Sequence, residues 1–323
     1  MDAIYVDNLT KSFGQLKALS ALSFRVKAGT VCGFIGPNGA GKTTTIRILL
    51  GLLPKDAGTV RILGEEVNFG RELEARKRLA YLPQDPVFPD RHTGLEILEL
   101  VGGLYGMSPA AARERGKALL REFHLEKAGK QSVGTYSRGM KQRLGLAACF
   151  LPEPELLILD EPVSALDPEG RVEVFDILKQ LKGKATVLFS SHILDDVERV
   201  SNALVMIREG RKVIEGSIEN ILNRYAVDRL RVKLRPDDKV RGKEVIRKLP
   251  WVESLWGEDE TGAVLVDVRP GMIEQAVDET IAKLVGEGLR VTEYGRVKTD
   301  LESLFLRLNT GVDQEQRPTG RAR

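Results

Sequence analysis

Apolar and polar residues alternate along LSFRVK (Leu22 to Lys27) and TVRIL (Thr59 to Leu63), the two-residue period of strands with one buried face. VCGFIG and LLILD are continuous apolar runs, the pattern of parallel strands covered on both sides, and ATVLFSS (Ala185 to Ser191) returns to strand character. Thr93 to Gly106, Pro109 to His124 and Arg138 to Phe150 carry helical spacing, which predicts a helical subdomain at about 88–150. Strands alternating with helices argue for an α/β core with a partly antiparallel lobe built from the first hundred residues, ending near Tyr225.

Beyond Asp228 the pattern restarts as strand RLRVKL, a helix through Glu244 to Leu249, strand VESLW, a turn at Glu260 to Gly262, strand AVLVDV, a helix from Met272 to Val285 and strand LRVTEY. This β-α-β-β-α-β order predicts a small α+β, ferredoxin-like module. Trp251 and Trp256, five apart, would face opposite sides of one strand, one toward the core and one toward an interface. Thr299 and Glu302 have capping-box spacing before a last helix with Leu301, Leu304, Phe305 and Leu308 on one face. The expected domains are 1–225, 226–310 and a polar, disordered tail at 311–323.

Composition excludes more than it identifies. The balance of 49 Lys+Arg against 46 Asp+Glu leaves a formal charge of +3, so no nucleic-acid partner is expected. Charged residues interrupt every apolar stretch before it reaches the ~18 residues needed to cross a bilayer. The opening MDAIYVDN has neither a basic nor an apolar leader region, and a cytoplasmic protein is expected. Cys32 and Cys149 lie in apolar runs without metal-ligand spacing, as small buried hydrophobes do.

The chemistry concentrates in Gly36-Pro37-Asn38-Gly39-Ala40-Gly41-Lys42-Thr43-Thr44, which fits G-x-x-x-x-G-K-[ST] between a buried strand and the helical run IRILLGLL. Glycines let backbone N–H groups turn inward around a phosphate, the helix N-terminus adds partial positive charge and Lys42 adds a full one. Thr43 offers a hydroxyl to Mg²⁺. LLILDEP ends an apolar strand in two carboxylates, where open α/β sheets bind ligands: Asp160 is expected to hold Mg²⁺ through water. Adjacent strand residues point to opposite faces, which leaves Glu161 to position an attacking water as general base.

With these motifs the chain resembles the nucleotide-binding subunit of an ABC transporter over roughly Ala3 to Tyr225. The family's coupling glutamine corresponds to Gln84 in YLPQD, assigned to both the metal site and catalysis, although alone it reads as a turn residue. The family's L-S-G-G-Q signature corresponds to Tyr136-Ser137-Arg138-Gly139-Met140, where Ser137 and Gly139 would contact the nucleotide of a second subunit and Arg138 departs from glycine. Ser164-Ala165-Leu166-Asp167 matches the D-loop, with Asp167 before Pro168 also a good helix N-cap. His192 matches the switch histidine, and Phe13 the aromatic that stacks on adenine, with core packing as its alternative. His92 and His124 have no motif context and are expected at the surface or in packing.

The resemblance implies a P-loop ABC ATPase core plus the C-terminal module, ATP and Mg²⁺ as cofactors, and an ATPase that dimerises as a homodimer or heterodimer. It further implies a separate transmembrane permease and a peripheral place on the inner face of the cell membrane. The Y-S-x-G-M-x-Q-R-L-G-L-A form and the DLESLFLRL ending resemble type-2 exporter ATPases of the drug, sodium and antibiotic-resistance groups. An importer subunit and a soluble ABC ATPase acting on ribosomes or DNA are the alternatives. The transported molecule is not written in this chain.

Overall fold

The computed structural model describes residues 1–224, 228–259, 261–297, 301, 304 and 305. The chain divides into two compact units, Met1–Glu219 and Asn220–Arg323. In the first, β1 (Asp2–Phe13) and β2 (Leu16–Lys27) form a long hairpin, followed by β3 (Val31–Ile35), helix α1 (Lys42–Leu49), β4 (Ala57–Ile62) and β5 (Glu65–Glu66). Strands β2-β1-β4-β5 pair antiparallel in that order, which is the expected lobe. Next come β6 (Leu79–Leu82), the helices α2 (Gly94–Leu104), α3 (Pro109–Glu122) and α4 (Arg138–Phe150), and β7 (Leu156–Leu159). The unit continues through α5 (Pro168–Gln180), β8 (Thr186–Ser191), α6 (Leu194–Val200), β9 (Ala203–Arg208) and β10 (Arg211–Ser217), and α7 (Ile218–Arg224) runs into the second unit.

The second sheet has the order β10-β9-β3-β8-β7-β6, parallel throughout except for the β9–β10 hairpin. β3, β7 and β8 are buried at every residue, which explains the unbroken apolar runs of β3 and β7. One core joins Ile4, Leu9 and Phe24 of the antiparallel lobe to Phe34, Leu188 and Val205 of the parallel sheet, with Ile46 and Leu49 of α1 between them. The Phe24 and Phe34 rings stack with centroids 5.4 Å apart.

The three helices of the insert start where side chains can satisfy their first N–H groups. Thr93 and Glu96 form a reciprocal capping box on α2, Ser108 caps α3 ahead of Pro109, and Ser137 caps α4. Cys32 and Cys149 are both buried, and burial pushes the Cys149 thiol up to about 12 and Cys32 higher still, so neither ionises readily.

The β9–β10 turn is built from Glu209 and Gly210, both with positive φ (50° and 70°), as a two-residue hairpin turn requires. Gly210 N–H donates to Ala40 O at 3.0 Å and its carbonyl accepts from Ser20 N at 2.9 Å, so this turn ties the antiparallel lobe to the Gly36–Thr44 loop.

In the second unit β11 (Arg229–Leu234), α8 (Lys239–Arg247), β12 (Val252–Glu258), β13 (Val264–Val268), α9 (Ile273–Gly286) and β14 (Val291–Val297) follow in the expected order. The sheet order β12-β13-β11-β14, antiparallel throughout, is that of a split βαβ fold. The first helix starts at Lys239 rather than Glu244 and ends before Leu249. Apolar spacing alone missed its first turns, because Gly242 is what faces the sheet: a Cβ there would stand 2.2 Å from Leu234 Cδ1.

Trp251 lies in the turn before β12 rather than on the strand; it is buried and donates from Nε1 to Thr280 Oγ1 at 2.9 Å. Trp256, on β12, donates to Asp267 beneath the Arg229 guanidinium. Their different burial thus does not come from strand alternation. Of the expected closing helix, Leu301 and Leu304 are described, helical and buried. Tyr225, Thr299, Glu302, Leu308 and the tail 311–323 lie outside the described residues.

Two predictions follow from these contacts. A Cβ on Gly210 would stand 2.5 Å from Ala18 O and 2.8 Å from Leu19 Cα, in addition to the left-handed backbone. Gly210→Ala is therefore expected to destabilise the first unit by about 2 kcal/mol or more, read by urea unfolding. An unchanged midpoint would mean that the turn relaxes without cost.

In the second unit Glu293 accepts from Arg231 and Lys233 at 2.6 Å each, and Glu258 from Lys239 and Lys243 at 2.7 and 2.9 Å. These hydrogen bonds hold both carboxyls below their ordinary range. Such groups stabilise the fold above their unfolded value, about 4.3 for Glu, and that contribution is lost as pH falls through the lower folded value. Both tryptophans of the chain lie here, so their emission reports on this unit. Its urea midpoint should hold steady down to about pH 5, fall below about pH 4, and fall less steeply in molar salt. A midpoint indifferent to acid would remove these pairs from the unit's stability.

Candidate functional site

Parallel pairing gathers the chemistry at one sheet edge. Ile35 at the end of β3 is in register with Ser191 of β8 and Met206 of β9, and Leu159 of β7 with Phe189 of β8 and Leu82 of β6. The segments leaving these ends are Gly36–Thr44, Asp160–Glu161, His192 and Gln84, so residues scattered over more than 100 positions become neighbours.

The Gly36–Gly41 loop turns into α1, whose first residue is Lys42. Gly41 has φ 103°, and a Cβ there would meet Ala18 O at 2.9 Å and Leu19 Cδ2 at 2.6 Å, so glycine is required on both counts. Gly36 and Ala40 are buried, whereas Pro37, Asn38 and Gly39 are exposed, and Thr43 and Thr44 are half-buried in the first helical turn. The Lys42 ammonium is buried inside the loop's curl, donating to Gly36 O at 2.6 Å and Pro37 O at 3.2 Å. Burial pushes its pKa down, and the charges of Glu161 and Asp160 oppose that. With no acid in the first turn of α1, the helix end remains positive.

Asp160 is buried at 2% exposure, and Ser190 Oγ donates to its Oδ1 at 2.6 Å. The same hydroxyl accepts from Glu161 N at 2.8 Å. The two carboxylates have different side-chain partners, and strand alternation does not set them apart, because β7 ends at Leu159 and Glu161 has φ 47°, a left-handed residue that turns the chain off the strand. Its Oε2 accepts from Gln84 Nε2 at 3.4 Å, and its Oε1 lies 3.3 Å from His192 Nδ1. Gln84 gets there because β6 is the parallel neighbour of β7. A cavity of about 110 Å³ opens beside this trio, lined by Glu161, Ser164, Phe189, His192 and the ion pair of Arg171 on α5 with Asp196 on α6.

Ser137 caps α4, accepting from Met140 N at 3.2 Å, and Gly139 in its first turn sits so that an added Cβ would stand 3.1 Å from Ala165 O. Among the described residues no hydrogen bond joins either of them to the Gly36–Thr44 loop. Asp167 caps α5 by accepting from Gly170 N at 3.1 Å, with Pro168 first in the helix, as its sequence context predicts. Phe13 is 47% exposed at the end of β1, with the Lys11 ammonium 5.5 Å from its ring centroid, so core packing is not its role. His92 and His124 are exposed, the latter 3.3 Å from Glu173.

Sequence reasoning missed two buried polar residues that hold the site together. Ser190 bridges the two acids, and Gln142 on α4 donates to Pro162 O at 2.9 Å, fixing the turn after Glu161. Their signal was a polar pair closing the apolar run of β8 and a glutamine on the apolar side of α4.

Known proteins resemble this chain in sequence and fold. A family model described as ABC transporter matches residues 19–164. The daunorubicin/doxorubicin resistance ATP-binding protein DrrA of Streptomyces peucetius is 34% identical over 324 residues, 99% of this chain and 96% of that one. The Nod factor export ATP-binding protein I of Burkholderia lata is 43% identical over 213 residues, 65% of this chain and 69% of that one. A solved ATP-binding subunit of an ABC transporter superposes with a TM-score of 0.63 at 34% identity, covering 69% of this chain and 93% of that structure.

The bridging hydroxyl yields a direct test. Ser190→Ala removes a hydrogen bond from a buried carboxylate and leaves the Glu161 N–H without its acceptor. The expected outcome is a stability loss of about 1–3 kcal/mol in urea unfolding, together with slower phosphate release from bound nucleotide. Parent values for both would show that water replaces the hydroxyl.

Proposed function

The chain belongs to the ABC transporter ATP-binding family, and from that premise we propose that it is one of a pair of ATPase subunits that drive export through a separate membrane-spanning permease. It is an ATP-hydrolysing subunit, and the observation that carries the detailed reading is the Glu161 carboxylate set between the Gln84 amide and the His192 imidazole. The backbone of Gly36–Gly41, with Lys42, Thr43 and Thr44, receives the nucleotide phosphates, and the exposed Phe13 ring is available to stack on the base.

Asp160, Thr43 and Gln84 provide a carboxylate, a hydroxyl and an amide oxygen, an all-oxygen donor set that suits Mg²⁺. When bound, the ion neutralises charge on the phosphate oxygens. Glu161 takes a proton from water as the water oxygen attacks the γ-phosphorus, the bond to the β-phosphate oxygen breaks, and ADP and inorganic phosphate result. His192 and Gln84 orient Glu161 for that step.

Ser137 and Gly139 stand on a helix N-terminus unattached to the phosphate loop of their own chain, which supports their use on the nucleotide of a second subunit, identical or related. Export is supported by the Y-S-x-G-M signature form, by a relative named for Nod factor export and by one named for drug resistance whose match runs through the C-terminal unit. No described helix is long and apolar enough to cross a membrane. We place the chain at the inner face, held by the permease, because its nucleotide is cytoplasmic. The accessory domain at 226–310 is assigned to dimerisation or regulation.

Replacing the base tests this reading. Glu161→Gln should keep ATP affinity, lower turnover by about 10²–10⁴ and accumulate an ATP-bound dimer in size-exclusion chromatography. Turnover at the parent rate would overturn the assignment.

A further inference from the structure

The first turn of α4 carries two cations, Arg138 and Lys141, and no acid. That runs against the helix dipole, which already places positive charge at this end. Both cations meet carboxylates of one segment: Arg138 Nη2 lies 2.7 Å from Asp85 Oδ1, and Lys141 Nζ 3.8 Å from Asp90 Oδ1. The same segment accepts backbone bonds from the approach to α4, Val133 N to His92 O at 2.8 Å and Gly134 N to Asp90 O at 3.0 Å. Farther along α4, Gly145 approaches so closely that an added Cβ would stand 3.3 Å from Pro86 Cβ. Residues 85–92 are therefore laid along α4, with Gln84 immediately before them and Ser137 immediately before the helix.

Within this strap the Asp85–Arg138 pair is the attachment nearest both functional residues. Its side chains are 80% (Arg138) and 67% (Asp85) exposed, so it adds little to stability; what it sets is position. Gln84 reaches Glu161 at 3.4 Å, the outer limit of a hydrogen bond, so a small outward shift of its loop breaks that contact. We propose that Arg138 is a positioning residue: through its ion pair with Asp85 it fixes the Gln84 loop to the N-terminus of α4 and so holds Gln84 against Glu161. This rests on the ATPase reading above. It also gives the arginine that replaces a signature glycine a task that glycine cannot perform.

The test is steady-state ATPase activity of the full-length chain, with Glu161→Gln as the blank. Arg138→Ala and Asp85→Ala should each lower kcat by about two- to five-fold, the range open to an exposed pair, with KM for ATP and the melting temperature unchanged. The double variant should be no slower than the slower single one. Arg138→Lys should retain most of the activity, and the charge exchange Asp85→Arg with Arg138→Asp should recover more than half of the parent kcat. Losses that multiply in the double variant, or an exchange that recovers nothing, would overturn the link. So would a loss confined to Arg138→Ala with Asp85→Ala at the parent rate, the outcome if Arg138 met the partner's phosphate directly. A parent chain no faster than the Glu161→Gln blank overturns the ATPase reading and the link with it, whereas an active parent with independent losses overturns the link alone.

Discussion

An ammonium and a carboxylate taken out of water at the same sheet edge must each find partners, and much of the site follows from how Lys42 and Asp160 find theirs. Lys42 turns its charge onto the carbonyls of Gly36 and Pro37, which holds the loop curled around it. Asp160 takes the Ser190 hydroxyl, and because that hydroxyl also accepts from Glu161 N–H, satisfying one buried charge fixes the backbone that aims the second. The parallel register of β3, β7 and β8 makes this possible, since it brings the segments that follow all three strands to one edge.

The parts that the amino-acid sequence made legible were those governed by local rules. The phosphate loop needs its glycines and lysine within a few consecutive residues, buried strands such as β3 and β7 need unbroken apolar runs, and the helices of the insert show helical spacing of their apolar residues. Gln84 was legible only through resemblance, because its position depends on β6 lying beside β7, a pairing between strands more than seventy residues apart. Ser190 and Gln142 were missed for a related reason: a buried polar side chain is justified by the group that it satisfies, and that group lies elsewhere in the chain. The left-handed Glu161 was hidden behind the assumption that a strand continues to its last acidic residue.

The C-terminal unit shows the same division. Its element order could be read from alternation, and the sheet order β12-β13-β11-β14 follows from packing both helices on one face. The start of α8 could not, since the residue facing the sheet there is Gly242, which carries no apolar signal. Trp251 illustrates a further limit: it packs into the core from a turn, so strand periodicity says nothing about its direction.

The locations of the cysteines have a consequence for watching the molecule move. Cys32 sits mid-strand in β3 between two parallel neighbours, and Cys149 on the buried side of α4; burial keeps both thiols protonated. Cys32 shares the core that the antiparallel lobe closes over the parallel sheet, so a thiol reagent reaches it when that core opens and reaches Cys149 when α4 lifts, and the two modification rates form separate clocks for those two events. The native chain therefore already contains a pair of internal opening sensors, one in the core beneath the antiparallel lobe and one in the helical insert.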